Sequence, residues 1–150
     1  MASRALKVLW ICPNLNHYKY KFLNYLNTRS EVEITILKGL GRESSGDIKM
    51  SLDLPIKTIE ANVHKKYFGF SNKVRKIIKD TFRKYDYVMI PRERKNIVLI
   101  LFFNIIKMNS KTKLFSYNHP FSYNGDKYSY FDRIITRILH MLYDKIIFYT

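Results

Sequence analysis

The sequence predicts an α/β protein with a doubly wound, Rossmann-like parallel sheet of about six strands and helices on both faces. Short apolar segments alternate with longer segments of helical periodicity, which is typical of successive βαβ units. The apolar segments lack polar alternation, as expected of strands that are covered on both sides. A length of 150 residues corresponds to one domain with a full hydrophobic core.

The first strand and helix are the clearest elements. The strand, Leu6–Cys12, is apolar on both faces and ends at Pro13. The next segment has apolar residues at i, i+4, i+7 and i+8, which predicts a helix with one apolar stripe. The residues of this stripe are Tyr18, Phe22, Tyr25 and Leu26. Lys19 is expected to point away from it.

Two further strands and a basic helix follow. The second strand, at 32–37, ends before Gly39, and the third lies near 56–60, after a loop at 41–54 that is rich in Gly, Ser and Asp. Ser71 is expected to cap a helix that runs to about Lys84. The basic side of this helix is predicted to face solvent, because charged residues opposite an apolar stripe are usual in a surface helix.

The second half repeats the pattern. A fourth strand at 85–90 ends at Pro91 and leads to an apolar helix at 96–108. A fifth strand at 113–117 leads, through an aromatic and polar loop, to a helix whose apolar residues run from Phe131 to Leu142. A sixth strand covers 145–149. The chain stops directly after this strand, and we therefore expect it to be a fragment of a longer protein.

Charge and cysteine content restrict the partners. The chain has 27 Lys and Arg against 12 Asp and Glu, so its net charge is +15, and it attracts phosphates, anionic lipids or nucleic acid. Cys12 is the single cysteine and is expected to be a buried core residue in a reducing compartment. No secretion signal is evident. The apolar segment 97–106 is too short to span a membrane, since a span needs about 20 residues.

Several common sites are disfavoured by the motifs. The loop after the first strand contains no glycine, whereas dinucleotide binding needs G-x-G-x-x-G at this place. No Walker loop is present. The four histidines do not stand with Cys or carboxylates at metal-ligand spacing, so a metal site is not expected. The sequence thus predicts neither a bound metal nor a bound cofactor.

Polar residues follow three predicted strands. Ligands of parallel α/β folds bind outside the carboxyl ends of the strands, where helix N-termini also point. We therefore take these strand ends as the candidate site. Its residues are Asn14, Asn16 and His17 after the first strand, Arg92 and Glu93 after the fourth, and Asn118 and His119 after the fifth.

These strand ends resemble the N-terminal half of GT-B glycosyltransferases, in particular the family 4 retaining enzymes of bacterial surface-polysaccharide assembly. The resemblance covers nearly all 150 residues and depends on order and spacing rather than on one diagnostic motif. The segments that carry it are Lys7-Val8-Leu9-Trp10-Ile11, 87–93 (YVMIPRE), Tyr117-Asn118-His119-Pro120 and 143–150 (YDKIIFYT).

The resemblance implies a two-domain transferase of which residues 1–150 are the acceptor-side domain. A nucleotide-sugar donor would bind mainly to a C-terminal domain that this chain lacks, so the chain alone is expected to be inactive. The family's first loop often has glycines that approach the donor phosphates, whereas this sequence has Asn14, Asn16 and His17. A cytoplasmic location is expected, with attachment to the inner face of the plasma membrane left open.

His119 is the candidate catalytic residue, because the resemblance places it where a polar side chain of the first domain faces the sugar. A neutral imidazole can hydrogen-bond a sugar hydroxyl, and the alternative is a bond to its own loop backbone. Arg92 is a candidate clamp for a phosphate or carboxylate, and pairing with Glu93 is the alternative.

Alternatives from other classes stay open. The acceptor is expected to be a sugar, and the net charge suggests that it is lipid-linked at an anionic membrane surface. A basic nucleic-acid-binding module is the main rival, although no recognised nucleic-acid motif is present and no nucleic-acid partner is expected. A regulatory domain is disfavoured, because Asn14 and Asn16 stand where acidic residues would be needed.

Overall fold

The fold comes from a computed structural model that describes residues 4–15, 17–40, 55–118 and 130–148, with positions 17, 18, 118 and 130–133 described by their backbone alone. The strands within these residues are β1 (Leu6–Cys12), β2 (Val32–Lys38), β3 (Lys57–Glu60), β4 (Tyr87–Met89), β5 (Lys113–Asn118) and β6 (Lys145–Phe148). The helices are α1 (His17–Asn27), α2 (Asn72–Thr81), α3 (Ile97–Lys107) and α4 (Tyr130–Met141).

The six strands form one parallel sheet in the order β3-β2-β1-β4-β5-β6. The predicted fold class, α/β with a Rossmann-like parallel sheet, is confirmed. The chain runs outward from β1 to β3 and then returns to the other side of β1, so the order reverses between β1 and β4. A reversal of this kind leaves a crevice at the carboxyl ends of the two strands.

Helices cover both faces of the sheet. On one face, α1 packs its buried Leu23 against Trp10 and Ile36 of the sheet. On the other face, α2 and α3 bury Ile78 and Phe103 against the central strands, and Leu139 of α4 joins the same cluster. Burial of apolar side chains on both sides explains why the strands lack polar alternation.

The ends of the helices agree only in part with those predicted from the sequence. Ser71 caps α2, since its hydroxyl accepts a hydrogen bond from the Val74 amide at 3.4 Å. Phe82–Lys84 forms a turn of 3-10 helix rather than a continuation of α2. The amide of Tyr85 then donates to the Phe82 carbonyl, so β4 begins two residues later than predicted.

The apolar side of α1 is the main correction to the predicted elements. Tyr25 was expected in the buried stripe, yet its residue surface is 56% exposed, whereas Leu23 is fully buried. The helix is rotated so that Leu23 is central and Phe22 and Leu26 lie beside it. Tyr25 instead accepts a hydrogen bond from the Arg29 guanidinium on the surface.

The apolar helix α3 comprises 11 residues and packs Leu99, Ile100 and Phe103 into the core. In the parts of the chain that the structure describes, no helix combines the length and apolarity that a membrane crossing requires.

Candidate functional site

The candidate site is a cavity of about 450 Å³ at the carboxyl ends of β1 and β4, where the strand order reverses. Ligand sites of open α/β sheets are found at this place. The walls come from β1 and its loop, the first turns of α1, the loop after β4 and the end of β5. The lining residues include Trp10, Cys12, Pro13, Asn14, Lys19, Phe22, Lys65, Met89, Pro91, Glu93 and Tyr117.

Asn14 lines this cavity and also carries a buried polar atom without a hydrogen-bond partner among the described residues. Its residue surface is only 9% exposed, and its Oδ1 atom is buried without a hydrogen-bond partner among the described residues. The main-chain carbonyl of Asn14 accepts from Lys19 Nζ at 3.4 Å and from Cys12 Sγ at 3.2 Å, which holds the residue in place. Because a buried acceptor without a donor destabilises the fold, Asn14 Oδ1 would gain a hydrogen bond if its side chain rotated toward a ligand in the cavity.

One side of the cavity is a cluster of aromatic rings. Phe22 and Tyr117 are stacked with their centroids 5.1 Å apart and their planes at 16°. Trp10 lies against both rings, at 6.1 Å from Phe22 and 5.5 Å from Tyr117. Rings packed against one another in this way form a rigid wall, against which a sugar ring or a base can stack.

Charged side chains line the cavity beside this wall. Lys19 and Lys65 are both lining residues, and each also interacts with other parts of the protein. Glu93 also lines the cavity and forms an ion pair with Lys95. The cavity therefore offers two ammonium groups and one carboxylate whose charge is partly compensated, which favours an anionic or hydroxyl-rich ligand.

Gly39 fixes the shape of the loop that carries Asn14. A Cβ atom at this position would lie 2.7 Å from the Val63 carbonyl oxygen and 2.8 Å from that of Pro13. The Gly39 amide also donates to the Cys12 carbonyl at 3.4 Å. The backbone after β2 can approach the Pro13 loop this closely only because residue 39 has no side chain.

The structure brings some of the predicted site residues together. Asn14 and Glu93 both line the cavity. His17 begins α1 and Asn118 ends β5, so their backbones lie at the same carboxyl edge of the sheet, while their side chains lie outside the description. Asn16 and His119 lie outside the described residues, and the candidate catalytic role of His119 stays a prediction.

Arg92 is directed elsewhere. Its guanidinium carbon lies over the Phe148 ring at 5.4 Å, and Arg92 is not among the residues that line the cavity. The charge of Arg92 also acts on His140, whose pKa is lowered by burial and by this neighbouring cation. His140 is half-buried, and its ring packs edge-on against Phe148 at 6.4 Å. Arg92 thus packs on Phe148 of β6, whereas Glu93 lines the cavity.

Sequence reasoning missed several lining residues. Lys19 was expected to point away from the apolar stripe of α1, and it is exposed, but its position in the first turns of α1 also makes it a lining residue of the cavity. Trp10 and Phe22 were assigned to the core and are also part of the cavity wall. The signal that could have found Lys19 is its position close to the start of a helix that follows a strand end.

Comparisons with models of protein families and with curated protein sequences give no match. The resemblance to GT-B enzymes is therefore still a prediction, and the fold class is what the structure establishes. Within the described residues, no group of three or more His, Cys, Asp or Glu side chains is placed to hold a metal ion. The groups that the cavity offers are a buried amide oxygen, two lysines, a carboxylate and aromatic rings.

Proposed function

We propose that this chain is the sugar-acceptor domain of a nucleotide-sugar-dependent glycosyltransferase, and that the cavity between β1 and β4 binds a sugar that carries phosphate. A C-terminal domain beyond residue 150 would bind most of the donor, so the chain alone binds sugars without transferring them. A buried single cysteine, Cys12, agrees with the cytoplasmic location that the proposal implies.

The observation that carries the proposal is the buried, unpartnered Oδ1 of Asn14 at the topological switch point. An amide oxygen accepts hydrogen bonds, so its natural partner is a hydroxyl or N–H group. Sugars present several hydroxyls at fixed spacing. A ligand hydroxyl that donates to Asn14 would remove the desolvation penalty of this buried atom.

The other groups of the cavity suit the same ligand. Lys19 and Lys65 attract phosphate, and the rings of Phe22 and Tyr117 offer an apolar face for a sugar ring. Glu93 can accept a hydrogen bond from another hydroxyl group of the ligand. A volume of about 450 Å³ falls in the range of small-molecule sites and accommodates a sugar phosphate.

Titration of the ¹⁵N-labelled chain with glucose, glucose 1-phosphate and UDP-glucose tests the proposal by NMR. We expect shifts at the ends of β1 and β4 and at the start of α1, and stronger binding of the phosphorylated probes. Asn14→Leu should weaken all three about tenfold, the effect of losing roughly one hydrogen bond. Lys19→Met should weaken only the phosphorylated probes.

Asn24→Leu is the matched control, because it also replaces an asparagine with leucine. Asn24 lies on α1 and does not line the cavity. This variant should leave binding unchanged. If none of the probes shifts resonances at the cavity, or if Asn14→Leu has no effect, the proposal fails. Binding of a single-stranded oligonucleotide in preference to the sugar phosphates, with affinity that falls steeply with salt, would favour a nucleic-acid-binding function instead.

A further inference from the structure

A second feature lies on the opposite face of the sheet from α1. The outward sides of α3 and α4 carry exposed apolar residues at i, i+4 and i+7. On α3 these are Leu101, Ile105 and Met108, and on α4 they are Ile134, Ile138 and Met141. Both helices cover the same face of the sheet, so the two stripes point the same way. We call these six residues the α3–α4 patch.

The α3–α4 patch is not explained by packing within the described part of the chain. Met108 and Met141 are 79% and 85% exposed, and Ile105 is 69% exposed. The inner sides of the same helices pack into the core, where Phe103 and Leu139 are buried. An outer helix surface normally carries charged residues, and contiguous apolar side chains there indicate an interaction site.

Basic side chains lie on the same face of the sheet as the patch. Helix α2 packs against α3 and presents exposed Lys73, Lys76 and Lys79 to solvent. Arg137 is exposed on α4 between the apolar residues, and Lys111 is exposed just after α3. The acidic residues described near this face are already paired, Asp80 with Lys76 and Asp144 with Lys107.

We propose that the α3–α4 patch docks this protein on the surface of an anionic lipid bilayer. Helices α3 and α4 have 11 and 12 residues, which is too short to span a bilayer but sufficient to lie in its interface with one apolar side immersed. The lysines of α2 and Arg137 then reach the headgroups, where each cation near an anionic surface strengthens binding about fivefold. This inference stands independently of the proposed sugar-binding function.

The charge and composition of the patch favour a bilayer over a second copy of the chain. Each copy carries a net charge of +15, so pairing two such faces would bring basic side chains together, whereas anionic lipid attracts them. Long aliphatic side chains insert readily at the boundary between headgroups and acyl chains.

The orientation that follows keeps the candidate site accessible. The cavity at the ends of β1 and β4 is lined by Trp10 and Phe22, which belong to the α1 face of the sheet. Docking through α3 and α4 uses the opposite face. In this orientation the cavity is not covered by the membrane and stays open to solvent.

Cosedimentation of the whole chain with vesicles tests the inference. We expect binding to phosphatidylcholine vesicles that contain phosphatidylglycerol and much weaker binding to phosphatidylcholine alone. The double variant Met108→Ser/Met141→Ser should lose about tenfold or more in partitioning, because two apolar side chains no longer leave water. Lys73→Gln/Lys79→Gln should lose about twentyfold, roughly fivefold for each charge.

Tyr25→Ser is the matched control, since it removes an exposed apolar side chain from α1 on the opposite face. It should bind vesicles like the unmodified chain. Hydrogen exchange of the unmodified chain adds a readout that needs no variant, and the outer sides of α3 and α4 should gain protection with anionic vesicles while α1 should not.

Three results would overturn the inference. One is equal binding to neutral and anionic vesicles, and another is binding that Met108→Ser/Met141→Ser leaves intact. The third is a dimer in solution that this double variant dissociates, together with no sedimentation with vesicles, which would assign the patch to a second copy of the chain.

Discussion

The hydroxyl group of Tyr143 donates a hydrogen bond of 3.0 Å to the main-chain carbonyl of Ile90, 53 residues earlier in the chain. Ile90 directly follows β4, and its amide donates to the Phe115 carbonyl at 3.1 Å. Tyr143 precedes β6 and lies in the core. This bond therefore fastens the carboxyl end of β4, from which Arg92 and Glu93 extend, to the start of the last strand.

Tyr143→Phe should destabilise the protein by about 1 kcal/mol, because it removes a buried hydrogen bond without changing the packing of the ring. Chemical denaturation at neutral pH measures this difference. Tyr25→Phe is the control, since the Tyr25 hydroxyl bonds Arg29 at the exposed surface and its loss should have little effect. An unchanged free energy of unfolding for Tyr143→Phe would show that the bond contributes nothing.

The same tyrosine should make stability sensitive to alkaline pH. Burial raises the pKa of Tyr143 far above its usual value near 10, with the charge of Glu93 adding to the increase and that of Arg92 opposing it. The phenol stays protonated in the folded state but ionises near pH 10 in the unfolded state. The free energy of unfolding therefore keeps the whole contribution of Tyr143 below about pH 10 and decreases as the pH rises further. Unfolding measured from pH 8 to pH 11 should show a smaller decrease for Tyr143→Phe than for the unmodified chain.

Asp144 should contribute stability that acid removes. Burial alone would raise the pKa of Asp144, but hydrogen bonds from Lys107 and from the Leu114 amide, with the charges of Lys107 and Lys113, lower it. Its contribution is thus present above about pH 4, the ordinary value, and is lost as the pH falls through the lowered value. Asp144→Asn should cost about 1 kcal/mol at pH 7, since the side chain is over a third exposed and partly screened.

Urea unfolding of the Asp144→Asn variant from pH 7 down to pH 2.5 measures this contribution, and its curve should converge with that of the unmodified chain at the acid end. Asp80→Asn breaks an exposed ion pair with Lys76 and should behave like the unmodified chain throughout. A constant difference between the two curves at every pH would contradict the assignment to the ionised carboxylate.

Gly69→Ala adds a single methyl group, and we expect it to destabilise the fold strongly. A Cβ at residue 69 would lie 2.1 Å from the carbonyl oxygen of Lys95 and 3.0 Å from Asn96 Cα, both of them backbone atoms. The turn before α2 and the turn before α3 would have to separate, which we expect to cost about 3 kcal/mol. Thermal denaturation measures it, and Ser71→Ala, which removes the cap of α2, should cost about 1 kcal/mol for comparison.

The sequence predicts the sheet well because its information is local and repeated. The predicted first strand agrees with Leu6–Cys12 at both ends. The order of the strands was not predicted, because the handedness rule for βαβ crossovers restricts the order without fixing it. Element ends are less predictable. Tyr85 was assigned to a strand, although its amide closes a 3-10 turn after α2, and nothing in the residue types distinguishes these two states.

The site is predicted less completely, because it depends on which side of each strand and helix a residue faces. Asn14 and Glu93 were found from their positions at strand ends, and both line the cavity. Arg92 has the same kind of position, but its guanidinium packs on the Phe148 ring and does not line the cavity. The rotation of α1 that places Lys19 at the cavity depends on how Leu23 packs against the sheet, which is a tertiary effect.

Asn14→Leu separates a functional residue from a structural one. If Asn14 is held for a ligand, its buried Oδ1 destabilises the unliganded protein, and replacing the amide with an apolar group of similar size should stabilise it by about 1 kcal/mol. If Asn14 instead has a structural role, Asn14→Leu should destabilise the protein, because a hydrogen-bonded polar group would be lost. Thermal denaturation of the unliganded chain measures the sign directly, and a lower melting temperature for Asn14→Leu would contradict the ligand-binding interpretation.

The matched comparison for Asn14→Leu is Asn96→Leu. Asn96 is also fully buried and its Oδ1 also lacks a partner, but its Nδ2 donates to the Pro91 carbonyl at 3.0 Å. The Asn96 amide is therefore partly used in the fold, and its replacement should destabilise the protein by roughly 1 kcal/mol or more. Opposite signs at these two buried asparagines would show that residue 14 keeps its amide for something other than stability, because selection for stability alone would favour an apolar residue there.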